Sequence, residues 1–182
     1  DESADYEPYN QTRNFYLNYL KQNYLNKELK IVSDGCLETI DFINKNYNSE
    51  DNIKTYFITK QPMFSGNVRQ FGITMSNNSD LITFLDSDDF YNRRFHLSNI
   101  VRAFSKNPKL DWIYFNDFIK YQAFDAAPLG ERDANLEYGT TGTSNIAYRK
   151  SCNVSWKGCD GYGHDHVLIK KLIENYPDSC AK

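Results

Sequence analysis

Short apolar runs alternate with stretches of helical periodicity along most of this chain, and that alternation limits the folds open to it. LKIVSDG at 29–35, KTYFITK at 54–60, LITFL at 81–85 and DWIYFNDF at 111–118 each contain a run rich in β-branched and aromatic residues, the composition of a strand. Between them, 39–46 places Ile40, Phe42 and Ile43 inward, and GNVRQFGITMSN at 66–77 carries Val68, Phe71, Ile73 and Met75 as its apolar members. LSNIVRAFSKNP at 97–108 is a helix closed by Pro108. A helix over 13–25 precedes the first strand, and one over 166–176 follows the last, with Val167, Leu168, Leu172 and Ile173 on its apolar side.

Strands alternating with helices predict an α/β fold, a mostly parallel sheet with helices on both faces. In such sheets ligands bind beyond the carboxyl ends of the strands. Asp34 follows the first strand and Asp86, Asp88 and Asp89 follow LITFL, so both groups are expected on one rim. From Ala123 to Thr143 the pattern gives way to AFDAAPLGERDANLEYGTTGT, a loop long enough to be functional or mobile. Regularity returns at SNIAYRK. No internal repeat or linker divides the chain, so residues 1–182 are expected to form a single domain, on their own or within a longer chain.

Composition narrows the function classes. A net charge of −3, with no long run of one sign, argues against nucleic acid as a partner and against a membrane surface held by electrostatics. No stretch has the length of a transmembrane helix, and the acidic opening DESADYEPYN is unlike a secretory signal, so a cytoplasmic location is the default expectation. Cys36, Cys152, Cys159 and Cys180 form no CxxC pair; unpaired thiols are favoured over a Cys152–Cys159 bridge.

Asp86, Asp88 and Asp89 repel one another unless a cation or hydrogen-bond donors hold them. Their hard oxygen ligands on an open rim suit Mg²⁺ or Mn²⁺ shared with a phosphate-bearing ligand. An EF-hand is excluded, since a loop beginning at Asp86 has Tyr91 where glycine is needed and Leu97 where glutamate is needed. An isolated Asp-x-Asp is most often a solvated turn, so the neighbouring segments decide its meaning.

Those segments resemble family 2 glycosyltransferases of the GT-A fold. IVSDG, then GNVRQFGITMSNNSDLITFLDSDDF, is similar to that family's strand ending in Asp-Gly, helix with Arg-x-x-Gly, and strand ending in Leu-Asp-x-Asp-Asp. TGTSNIAYRKS resembles its later acceptor-side strand, and WKGCDGYGHDHVLIKKL its closing aromatic-Gly-(Glu/Asp)-Asp helix start. The resemblance implies a nucleotide-sugar half over about 9–118 and an acceptor half over about 119–182. It implies an inverting, metal-dependent transfer from a nucleotide-diphospho-sugar, with UDP expected and GDP open, to a glycan, lipid or protein hydroxyl.

The same resemblance assigns the residues. Asp34 meets the nucleobase, or forms an Asx turn beside Gly35. Asp86 faces the ribose or the metal and Asp88 ligates the metal, while Asp89 orients its neighbours or caps the next helix. Arg69 contacts the nucleotide-sugar or pairs with a rim carboxylate. Asp165 is the catalytic base, or else an N-cap. Trp156, Tyr162 and His164 are acceptor or sugar contacts, with core packing as the other reading of the aromatics, and His166 is a further candidate metal ligand. The chain departs from the family in having His164-Asp165-His166 where a Glu-Asp pair is usual, and an acidic stretch where an apolar strand ends near Tyr-Asn. Two other functions compete: a non-catalytic module binding a nucleotide-sugar or glycan, and a metal-dependent nucleotidyl- or phosphotransferase, which would want a glycine-rich phosphate loop.

Overall fold

The computed structural model describes residues 15–47, 51–60, 66–87, 89–91, 93–119, 130–159, 161 and 163–182. Helical residues 15–20 (α1) lead into β1 (Leu29–Asp34), α2 (Leu37–Tyr47), β2 (Ile53–Ile58), α3 (Gly66–Thr74), β3 (Leu81–Thr83), α4 (His96–Lys106) and β4 (Trp112–Tyr114). There follow β5 (Asp117–Ile119), β6 (Gly130–Arg132), β7 (Ile146–Arg149), α5 (His164–Asn175) and β8 (Cys180–Ala181).

β1 and β2 pair in parallel from Leu29↔Ile53 to Asp34↔Ile58. A four-stranded sheet runs β3-β7-β4-β8. In it β7 is antiparallel to both β3 and β4, and β8 is parallel to β4, so three of the four strands share one direction. β5 and β6 form a separate antiparallel pair, and β6 lies in the stretch expected to be loop. The expected α/β class holds, with one antiparallel strand inserted at the sheet's centre.

Alternation along these strands sorts side chains onto two faces. Ile82, Trp112, Ile146 and Tyr148 point to one face and pack against Leu168, Ile169 and Leu172 of α5. Leu81, Ile113 and Ala147, their sequence neighbours, point to the other and meet Ile100 and Phe104 of α4. Ile100 and Phe104 are four apart, as a single helical stripe requires. A sheet covered on both faces explains why these strands read as continuous apolar runs. A third cluster joins Tyr16 and Tyr19 of α1 to Ile53 of β2.

The acid-rich segment after β3 is fastened at its far end by α1 and the turn after it. Asn18 donates to the Tyr91 carbonyl at 3.0 Å and accepts from the Tyr91 N–H at 2.8 Å. Gln22, itself buried, donates to the Arg93 carbonyl at 3.0 Å and accepts from the Leu97 N–H at 3.2 Å. A cavity of about 1520 Å³ separates the β1 and β3 edges, and Asp34, Arg69 and Asp86 are among the residues lining it. The four cysteines are thiols, so the Cys152–Cys159 bridge does not form. No helix among the described residues is long and apolar enough to cross a membrane.

His96 opens α4 stacked on Tyr91, with ring centroids 4.6 Å apart, and meets Phe115 edge-on at 4.7 Å. Burial pulls its pKa down to about 4. The unfolded chain takes a proton near pH 6.5 that the folded chain resists until about pH 4. His96 therefore contributes its full stability above pH 6.5 and loses up to about 3 kcal/mol of it as pH falls through that window. Urea unfolding at pH 7.5 and 4.5 should show a smaller acid loss in His96→Phe than in the wild type. Parallel losses would refute the buried neutral imidazole.

Candidate active site

Arg69 stands at the centre of the site. α3 delivers it from the fourth position of GNVRQFGIT, with its side chain only 9% exposed. The opening of α3 lies so close to the 156–159 loop that a Cβ on Gly66 would come within 2.7 Å of the Cys159 carbonyl oxygen. The next residue, Gln70, accepts from the Trp156 N–H at 2.9 Å and from Ser155 Oγ at 3.3 Å. One helical turn thus fixes both the arginine and the aromatic ring beneath it: the guanidinium carbon lies 5.1 Å from the Trp156 ring centroid.

That packing decides the role of Trp156. Its side chain is fully buried, with Phe84 edge-on at 5.6 Å and Arg69 over its ring. It supports the arginine and presents no open face to a sugar, which corrects the expected contact in favour of core packing.

The guanidinium spans two acidic groups. Nη2 donates to Asp86 Oδ1 at 2.6 Å, and Nη1 reaches Asp165 Oδ1 at 3.5 Å. Nη1 also lies 2.8 Å from His164 Nε2. Arginine has only donors, so in that hydrogen bond the imidazole nitrogen is the acceptor. The 3.1 Å approach of the same Nε2 to Asp165 Oδ1 is then a close contact and not a second hydrogen bond. His164 is a partner of Arg69 and is 16% exposed.

Asp165 lies in the first turn of α5, whose N-cap is Gly163 in the left-handed region at φ 80°. The capping role therefore falls away; the carboxylate sits where the helix dipole favours negative charge. Thr143 Oγ1 donates to Oδ1, so hydroxyl, guanidinium and imidazole contacts all converge on one carboxylate oxygen. The side chain remains 30% exposed.

On the other side, Asp86 is 44% exposed while Oδ1 is held by Arg69. Asp89 accepts from Ser144 Oγ at 2.5 Å, and its N–H donates to the Asp86 carbonyl at 3.0 Å. It caps no helix, since α4 begins after Phe95; the orienting role is the one it fills. Asp88 and Tyr162 lie outside the described residues. Among the described residues, no group of three His, Cys, Asp or Glu side chains is placed to hold a metal ion. Asp34 ends β1 on the cavity that Arg69 and Asp86 also line, as the shared rim requires. Gly35 follows at φ 80°, and a Cβ there would meet the Lys60 Cβ at 2.6 Å, so the turn that presents Asp34 needs glycine. His166 packs edge-on against Tyr138, with centroids 5.1 Å apart.

A family model described as glycosyl transferase family 2 matches residues 9–175. The chain belongs to that family. Among solved structures the family 2 domain is similar to S. aureus TarS 1–349, with TM-score 0.70 and 16% identity over 93% of this chain and 53% of that one. It is also similar to TarS 1–349 in complex with UDP (TM-score 0.71, 16% identity, 93% and 53% covered) and with UDP-GlcNAc (TM-score 0.69, 15% identity, 93% and 51% covered). At this identity the likeness shows the GT-A fold alone. The chain spans about half the length of TarS 1–349. No curated protein gave a significant match.

Three parts of the family 2 site went unread in the sequence: Gln70, Thr143 and Ser144. Gln70 adjoins Arg69 in the chain, which was its only signal. Thr143 ended the stretch read as loop and Ser144 opened SNIAYRK, and hydroxyls at such a boundary carry no distinguishing pattern.

Removing the guanidinium leaves two carboxylates facing each other without their shared donor. Arg69→Gln should lower stability by about 1–3 kcal/mol in urea unfolding at pH 7. Adding Asp86→Asn should recover part of that loss. Strictly additive effects would mean that Arg69 and Asp86 are not coupled.

Proposed function

We propose that this chain carries the catalytic site of a metal-dependent glycosyltransferase that moves a sugar, hexosyl in type, from a UDP-sugar to an acceptor hydroxyl with inversion. The observation that carries this reading is that Arg69 ties Asp86, on the rim below β3, to Asp165, at the start of α5. Two carboxylates of different exposure are thus held on one guanidinium, one suited to a metal–diphosphate and one to a proton. The UDP and UDP-GlcNAc complexes of TarS support the donor class.

Asp86 and Asp88 are the metal ligands in this reading. The half-exposed Asp86 carboxylate would suit a hard divalent ion, Mn²⁺ or Mg²⁺. When bound, such an ion offsets the charge that grows on the leaving diphosphate. Asp34 accepts hydrogen bonds from the base at the cavity edge, and Arg69 fixes Asp86 while adding positive potential beside the phosphates. The acceptor oxygen attacks the anomeric carbon as the bond to the diphosphate breaks and the electron pair leaves with the phosphate oxygen. Its proton passes to Asp165, whose Oδ2 is the oxygen for that task because Oδ1 already receives Thr143 and Arg69.

Calorimetry with UDP, GDP, Mn²⁺ and their combinations tests the donor site directly. UDP binding should require Mn²⁺ and weaken at least about tenfold in Asp88→Ala, the scale of a lost metal ligand. Asp165→Asn should bind UDP with Mn²⁺ normally and lose transfer by about 10²-fold or more. Normal transfer in Asp165→Asn would remove it as the base. A wild type that binds UDP with Mn²⁺ yet transfers nothing would favour the binding-module reading, and no nucleotide binding at all would sink both.

A further inference from the structure

Thr143 and Ser144 are consecutive residues of the short 3₁₀ turn Thr143–Asn145, and their hydroxyls reach opposite sides of the site. Thr143 Oγ1 donates to Asp165 Oδ1 at the start of α5. Ser144 Oγ donates to Asp89 Oδ2 at 2.5 Å and accepts from the backbone N–H of Asp86 at 3.4 Å. One turn therefore touches both the acid loop and the helix start.

The turn is itself fixed. Asn145 is buried; its Oδ1 accepts from the Gly142 N–H at 3.2 Å and its Nδ2 donates to the Phe115 carbonyl at 3.1 Å. The Asn145 N–H closes the turn onto the Gly142 carbonyl at 3.1 Å. β7 begins at the next residue, and Ile146 is completely buried at the centre of the sheet. The turn cannot shift without moving the middle strand. Thr143 is buried as well, so its hydroxyl is aimed by packing and not by solvent.

We propose that Thr143 and Ser144 are positioning residues that set the separation between the donor-binding acid loop and the base: Thr143 aims Asp165, and Ser144 aims the Asp86–Asp89 loop. This rests on the glycosyltransferase reading above. Arg69 supplies charge to both carboxylates, and each hydroxyl adds a second contact to one acid only. Two neutral hydroxyls on a buried turn fix direction without neutralising either acid. Because a misplacement of about 1 Å at reacting groups costs about 10²-fold in rate, a rigid spacer has a large effect to exert.

The two hydroxyls should fail in different ways. With UDP-GlcNAc as probe and UDP release as readout, Thr143→Val should lower kcat by about 10–100-fold and leave KM for the donor within about twofold. Thr143→Ser, which restores a hydroxyl, should recover to within about threefold. Ser144→Ala should weaken UDP binding in Mn²⁺ by about tenfold in calorimetry while kcat at saturating donor falls less than about threefold, and Ser144→Thr should restore binding. Thr143→Ala serves if the valine variant melts well below the wild type. Variants that move the same parameter, or none, while the wild type binds and turns over, overturn this inference alone. A wild type that binds but releases no UDP overturns the Thr143 half, and one that binds no UDP overturns the inference together with the functional reading.

Discussion

A single buried cation with several anionic and polar claimants holds this site in shape. Burying a guanidinium costs several kcal/mol unless its donors are used, and Arg69 uses them on Asp86, His164 and Asp165 while its flat face rests on Trp156. These partners come from three parts of the chain: Asp86 from the segment after β3, His164 and Asp165 from the start of α5, and Trp156 from the loop before it. Satisfying one arginine therefore ties the segment after β3 to the start of α5 and the loop before it. The aromatic floor matters as much as the charge. Without Trp156 and Phe84 packed beneath it, the guanidinium would lie in higher dielectric, where its attraction for either carboxylate weakens.

The scaffold makes this convergence possible through the alternation of the strands. In β4, Trp112 joins one core and Ile113 the other; in β7, Ile146 and Tyr148 take one face and Ala147 the opposite. Two helices on opposite faces lock the register of every strand between them, since a slip of one residue would exchange the two cores. The rim inherits that rigidity, so Asp86 and the Thr143–Asn145 turn hold a fixed relation although more than fifty residues separate them.

Much of this was legible in the amino-acid order. The strands and helices announced themselves because apolar periodicity reports burial directly, and the placement of Asp34 and Asp86 on one rim followed from where the apolar runs stop. The helix before the last strand was misjudged by only a few residues at its start, which moved Asp165 from cap to first turn. Less visible was the covering of individual rings: sequence gives Trp156 its hydrophobic bulk and its place near the site, but not which neighbours occupy its faces. His164 and Asp89 turned on the same kind of fact, a partner far away in sequence. Short hydroxyl bridges are the least legible of all, because serine and threonine are common in loops and their value lies wholly in what a distant segment brings within 3 Å.

The insertion of β7 has a consequence for how the chain is made. Among the described residues, β3 and β4 are joined through β7, a strand that lies beyond β5, β6 and the long segment between them. During synthesis both edges, with Leu81, Ile82, Trp112 and Ile113, leave the ribosome before the strand that pairs them exists. The nascent chain therefore carries two unpaired apolar edges for a substantial interval, the situation in which chains pair with one another instead of with themselves. Soluble yield should depend on how quickly residues 146–149 follow, which makes the pace of translation through the preceding loop a property that the architecture itself brings under selection.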